Sequence, residues 1–577
     1  MLENEKRQTS IKNIVEKNLE NRNLFTNILK IITGLIILLI MVVYELLFCN
    51  SNFILNNANY NFSLFRVLVY IASIILYLLF NKKFVEQAIE TYSSKFKKYT
   101  SIIYYIFALG AFIFLFIRID FISIQKLALY IIAILMGVIF ITYVQKDYIK
   151  NMILVSSTFG IVFAISTDLN HPYDEIRHFL SAFNVSVGNF NFEEYKMDEQ
   201  LKQIPLNSSY ENINSFFEKN YDTKLDEQVE YNFIYSPAPY SFVIYLFSGI
   251  GIFLANILGG SLADIYIAGR IFNLIFYTIL SIITLKILPY KRQTFAAILM
   301  IPMILCLAAS YSIDGICVGL VSIFIAYCLK IYESKKVLTL KDVLKLGICF
   351  IFLLMAKSMA YIGVALIFLI LPLKETIKQN KKYIPVMIVI SIIALVCIVF
   401  GALYVKRTKV VDDPRSGSDV SAQIEYCLEN PFKVLESLYK HTISTLFSPS
   451  WLETTNNVAF FGEYSSLVFT LLITLLLYIA ILDDSKKFKV KEKLIFIISF
   501  LAVFCMTSIV LYLNFTKVGN SEIVGYQSRY LFPIISLIFI GMNLKNVSVK
   551  KGQNTIMILT ILSNAIIFMD LLLLIRK

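Results

Sequence analysis

Long apolar runs recur along the whole chain, and they constrain the fold more than any other feature. Ile28–Phe48 and Ile384–Val405 are each long enough to cross a hydrocarbon core of roughly 30 Å as a helix. With 58% hydrophobic residues and a mean hydropathy of +0.70, the chain reads as an all-α polytopic integral membrane protein. The first 24 residues are polar and mixed in charge, unlike a cleaved leader, so the first span is expected to be retained.

Hydropathy places apolar segments near 25–49, 62–80, 99–117, 127–144 and 152–166. After a polar loop, 167–236, they continue near 237–258, 263–285, 294–310, 313–330, 342–356, 358–373 and 384–405. A second polar loop, 406–463, precedes segments near 464–482, 494–513, 529–544 and 555–574. The expected organisation is a cytoplasmic N-terminal segment (1–24), a four-span module (25–150), a principal membrane domain (151–545) and a C-terminal span (546–577).

Charge fixes the orientation, because short cytoplasmic loops are enriched in Lys and Arg. Lys6, Arg7, Lys12, Lys17 and Arg22 put the N-terminus inside, and Lys82, Lys83, Lys95, Lys97 and Lys98 do the same for the loop 81–98. The loop beginning at Thr167 then faces outward. Pro237–Leu258 is long enough to span, but spanning would move the connections 286–292, 330–341, 374–382, 483–493 and 545–551 outside. Those five carry nineteen Lys and Arg. A segment that lies along the outer interface or re-enters returns all five to the cytoplasm, and this reading is preferred. It leaves about fifteen spans, with Arg576 and Lys577 outside and both large loops on the outer side.

The net charge of +13 sits in these short loops, so no nucleic-acid partner is expected. The eight cysteines include no Cys-x-x-Cys pair and mostly lie within apolar segments, which argues against a disulfide framework or a zinc site. No Walker loop, dinucleotide fingerprint or His-Glu-x-x-His is present.

The first outer loop opens on Asp168-Leu-Asn-His171-Pro172-Tyr173-Asp174-Glu175-Ile176-Arg177-His178, which holds two of the three histidines. A helix starting at Pro172 would put His171, Asp174, Glu175 and His178 on one face. Adjacent carboxylates near histidines can supply a general base, and His171, Asp174 and His178 are candidate ligands for a divalent metal. The plain alternative is a solvated helix with Asp174 pairing to Arg177. Tyr235-Ser-Pro-Ala-Pro-Tyr240 makes a rigid approach to the next segment and suits an interfacial belt equally well.

Arg270, Asp314, Lys357, Arg529 and Glu522 lie at predicted outer helix ends. Charges at such depths are costly, so each is a functional candidate, with snorkelling as the alternative. Arg270, Lys357 and Arg529 together could neutralise a lipid phosphate. Arg529 and Tyr530 sit in Gln527-Ser-Arg-Tyr-Leu-Phe-Pro533, a good helix start in its own right. The second outer loop carries Asp412, Asp413, Arg415, His441 and Trp451, the last read as an interface anchor.

Taken in order, these motifs resemble a bacterial family of multi-pass membrane proteins grouped with GT-C-fold glycosyltransferases. Members carry Pro-Asp-Glu-x-x-His after an early span, and here Pro172 to His178 matches with one extra residue after the proline. The segment from Tyr235 to Tyr240, Arg270, Ser312-Ile-Asp314, Lys357 and the stretch from Gln527 to Pro533 match later motifs, with Ser528 where glycine is usual. The resemblance covers roughly 150–545 and implies a GT-C-like bundle whose two outer loops contain interfacial helices. It also implies a polyprenyl-phosphate sugar donor and an envelope glycan or glycolipid acceptor, on the outer face of a bacterial plasma membrane. Asp174 or Glu175 would be the base. Arg270, Lys357 and Arg529, with Arg177 or His178, would hold the donor phosphate. Tyr235, Tyr240, Asp314, Gln527 and Tyr530 would contact substrate. The competing expectations are a transporter or flippase of lipid-linked saccharides and a non-catalytic partner of an envelope assembly complex.

Overall fold

The computed structural model describes residues within 148–190, 238–396, 419–446 and 476–542, with short gaps inside these ranges. The segment 1–24, nearly all of the four-span module, the latter part of the first large loop, both ends of the second and the C-terminal span lie outside the described residues.

Among the described residues the protein is helical and has no strand. Helix α1 (Tyr148–Val155), a π-helical turn (Ser156–Gly160) and α2 (Ile161–Ser166) form the first rod. Helix α3 (Glu175–Ser186) follows within the first large polar loop. Helices α4 (Phe242–Ile257) and α5 (Leu262–Ile287) form an antiparallel hairpin. Its turn is at Gly259, whose φ of 74° suits glycine, and Phe247 stacks on Phe276 at 4.1 Å across the arms.

An apolar segment expected as one helix near 294–310 is two, α6 (Arg292–Leu299) and α7 (Pro302–Ala308). Pro302 disfavours helical backbone at Ile301, which adopts ψ 128°, and lacks the N–H that a continuous helix would use. Helices α8 (Asp314–Ser334) and α9 (Leu340–Met355) match their expected segments closely. The run expected at 358–373 is instead a 3-10 helix, Ile362–Ile370, followed by the short α10 (Leu373–Gln379). At about 2 Å rise per residue, the tighter helix covers more depth with fewer residues. In the second loop lie α11 (Val420–Glu429), capped by the Asp419 carboxylate on the Ala422 N–H, and α12 (Pro431–Leu446). Helix α13 (Val490–Asn514), a 3-10 turn (Ser528–Ile534) that accommodates Pro533, and α14 (Ile535–Gly541) complete the described part.

Three of these helices, α5, α8 and α13, are long and apolar enough to cross a membrane. Their sidedness fits lipid. On α5, Ile275, Ile279 and Ile283 form an exposed apolar stripe, while Asn273, Tyr277 and Thr284 are buried. Apolar outside and polar inside reverses the pattern of a water-soluble helix.

Four of the five lysine-rich connections meet at one end. Lys291 donates to the Asp483 carbonyl, Lys486 pairs with Glu333, Tyr332 donates to Glu492 at 2.6 Å, and Leu338 N–H donates to Thr376 at 3.1 Å. The fifth, 545–551, lies outside the described residues. Helix α1 starts at this same end, packed on α6. The carbonyls of Ala164 and Thr167, where the rod finishes, are held by Arg270 in the first half of α5. The end of α2 and the start of α5 thus lie together at the opposite end, with α4 folding back along α5.

Candidate functional site

That opposite end gathers charged side chains from five separate stretches of sequence. Deepest is Arg270, two turns into α5. Its Nε and Nη2 donate to the two carboxylate oxygens of Glu175 at 2.9 and 2.8 Å, and its Nη1 donates to the carbonyls of Thr167 and Ala164 at 2.7 and 3.0 Å. Neither charged side chain is exposed. Tyr311 N–H also donates to Glu175, and Tyr311 Oη donates to the Tyr266 carbonyl at 2.8 Å. Gly269 makes room for this tyrosine, since a Cβ there would fall 2.1 Å from its hydroxyl. Such a buried bidentate pair fixes geometry more than it adds stability.

Above it, Asp314 begins α8, fully buried. Lys357, in the hairpin after α9, donates to its Oδ1 at 2.6 Å, and Arg529 Nε lies 3.2 Å from its Oδ2. Ser312 Oγ donates to the same carboxylate at 3.3 Å, and Asn273 donates to the Ser310 and Ser312 carbonyls, which shapes the turn before α8. Arg529 reaches further through Nη2, 3.3 Å from Asp174. Two carboxylates and two cations therefore alternate in a chain, Asp174–Arg529–Asp314–Lys357. Only Asp174 is substantially exposed, at 51%, whereas Arg529 and Asp314 are 2% exposed and Lys357 13%. Asp174 has φ 64° and Lys357 φ 46°, left-handed backbone at two charged positions.

An aromatic wall encloses the charges. The Lys357 ammonium sits 3.8 Å from the Tyr530 ring centroid, and Tyr530 meets Tyr526 edge-on. His178, on the loop helix α3, stacks with Tyr240 and bonds Tyr245 through Nδ1 at 2.7 Å. Burial pushes its imidazole down to about 3, against the pull of Asp174 and Asp314, so it stands neutral at physiological pH.

Asp174, Glu175, His178, Tyr240, Arg270, Asp314, Lys357, Arg529 and Tyr530 thus come together as one constellation. Arg177 is half-buried on α3 and contributes its carbonyl to Ala238 N–H and Ser181 Oγ. Gln527 adjoins the wall. Tyr235 and His171 lie outside the described residues. The helix expected to start at Pro172 begins at Glu175, with Asp174 at its cap position, so Asp174 and Glu175 point into different surroundings. Glu175, expected as a possible base, is sealed against Arg270, and Arg270, expected at the donor phosphate, spends its donors on Glu175 and two carbonyls. Among the described residues no three His, Cys, Asp or Glu are arranged to hold a metal ion. Sequence reasoning passed over Tyr245, Tyr266, Tyr311, Tyr361 and Tyr526, because a tyrosine within or beside an apolar run carries no signal of its own.

No curated protein and no solved structure matches the chain. A family model described as "Predicted membrane protein (DUF2142)" matches residues 158–538, a span that contains every described residue of the constellation. The chain is a membrane protein that belongs to this family.

Proposed function

We propose that the protein is a membrane glycosyltransferase that moves a sugar from a polyprenyl-phosphate donor to an envelope glycan or glycolipid on the outer face of a bacterial plasma membrane. The observation that carries this reading is the chain Asp174–Arg529–Asp314–Lys357, one accessible carboxylate beside two sheltered cations. The lysine-rich connections at the opposite end support an extracytoplasmic site.

Asp174 is the general base. It accepts the proton of an acceptor hydroxyl, whose oxygen attacks the anomeric carbon as the bond from that carbon to the phosphate oxygen breaks. The electron pair leaves with the phosphate, and the configuration inverts. Lys357 and Arg529 stabilise the charge that builds there. Asp314 holds both cations in place, and Glu175–Arg270 braces the start of α3 on which Asp174 rides. A divalent metal is not required by this step. Asp174, Asp314, Lys357 and Arg529 sit at helix ends, on the side opposite the lysine-rich connections, which favours an enzyme over a transporter or flippase. An assembly partner without catalysis would have no use for an accessible carboxylate beside these cations. Asp174→Asn at native expression, read by envelope glycan composition and lipid-linked sugars together, tests the reading.

A further inference from the structure

Buried polar atoms that lack a partner are uncommon, because each forgoes the hydrogen bonds it would make in water. Three in this protein fall around one pair of rings, Tyr526 and Tyr530. Tyr361 is 1% exposed, its hydroxyl has no hydrogen-bond partner, and it opens the 3-10 helix that packs on α13, the helix whose Phe504 meets Tyr526. Gln527, between the two rings in sequence, has a buried side-chain oxygen without a partner. His441 of α12 is 8% exposed, stacks on Phe504, meets Tyr526 edge-on at 5.1 Å, and leaves Nε2 unpartnered.

The chemistry of these groups differs from that of the cations beside them. An amide oxygen accepts, a phenol donates or accepts, and an imidazole nitrogen does either according to tautomer. A phosphate offers acceptors only, and Lys357 and Arg529 already suit it. What satisfies a mixed set next to aromatic faces is an uncharged ring bearing several hydroxyls, whose C–H faces lie on tyrosine and whose O–H groups both give and take.

We propose that Tyr361, Gln527 and His441 form the recognition subsite for the donor's sugar, on the Tyr526–Tyr530 side of Lys357. The inference rests on the glycosyltransferase reading and deepens it. Lys357 and Arg529 bind what all such donors share, and the three neutral groups bind what distinguishes one sugar from another. Because His441 comes from the second outer loop, that loop contributes to sugar choice.

The test is binding of bare polyprenyl phosphate, and of polyprenyl phosphates carrying a hexose, an N-acetylhexosamine or a pentose, to the full-length protein in lipid nanodiscs. At least one sugar-bearing lipid should bind tenfold or more tighter than bare polyprenyl phosphate. Tyr361→Phe and Gln527→Ala should erase that difference and leave bare polyprenyl phosphate within twofold of its original affinity. Tyr361→Phe should also keep or raise the Tm of the unliganded protein, since no internal bond is lost. Equal loss for bare and sugar-bearing lipids, or a lowered Tm, would make Tyr361 structural and overturn the subsite. No preference for any sugar lipid, with bare polyprenyl phosphate still bound, would overturn the subsite and leave the phosphate site standing. Failure of every polyprenyl phosphate to bind would overturn the glycosyltransferase reading and the subsite with it.

Discussion

Arg270 grips Glu175 through two parallel N–H···O bonds of 2.9 and 2.8 Å, with both side chains closed to solvent. Glu175 follows Asp174 directly, so the pair sets where the exposed carboxylate stands. Removing one partner leaves the other as a buried, uncompensated charge. Glu175→Gln should therefore cost roughly 3–5 kcal/mol of stability, seen as a lowered Tm in detergent and reduced membrane yield. Glu175→Met with Arg270→Met should recover part of that loss, though not all. The carbonyls of Ala164 and Thr167 would still lack their donor.

Asp174 needs a residue that tolerates left-handed backbone. Asparagine does so readily, while a residue without a short polar side chain costs roughly 1–2 kcal/mol there. Asp174→Asn should keep the wild-type Tm within a degree or two and lose transfer. Asp174→Ala should lose transfer and also melt lower. Thermal unfolding of both variants beside an in vitro transfer assay separates chemistry from folding.

Lys357 stands 2.6 Å from Asp314 and faces Tyr530. Lys357→Met should lower kcat by roughly 10²–10³-fold, in line with loss of one preorganised donor at a leaving group. Its KM for the acceptor should change little. A large rise in acceptor KM with unchanged kcat would assign Lys357 to the wrong substrate.

His178 makes stability pH-dependent. Its folded pKa is pushed down to about 3, below the unfolded value near 6.5, so the unfolded chain takes up the proton first. The stabilisation from keeping it neutral is complete above about pH 6.5 and is lost as pH falls towards 3, at up to about 1.4 kcal/mol per pH unit. His178→Gln removes this component. The fall in Tm from pH 7.5 to 4.5 should be shallower in that variant than in the wild type, and parallel curves would show that His178 does not titrate this way.

Charges were legible in the sequence because each interrupts an apolar run at a cost that demands a reason. Arg270, Asp314, Lys357 and Arg529 announced themselves in this way, Asp174 through the carboxylates and histidines grouped around it in the first polar loop, and the lysine-rich loops indicated which connections share an end. Pairing was not legible. That Arg270 belongs to Glu175 and not to a ligand depends on α3 packing against α4 and α4 against α5, contacts that no local spacing encodes. Nor was the backbone detail. The break at Pro302 could be suspected from proline alone, but the 3-10 helix Ile362–Ile370 has the composition of an ordinary span. The unpartnered hydroxyl of Tyr361 is visible only once the 3-10 helix it opens is packed on α13.

The most direct measurement is Asp174→Asn at native expression, with envelope glycan composition and lipid-linked sugars read from the same cells. The account predicts that one sugar disappears from the envelope polymer while its polyprenyl-phosphate donor accumulates, with the variant present at wild-type level in the membrane. Unchanged glycan and donor pools in that variant, beside a clear envelope defect in a full deletion, would contradict it.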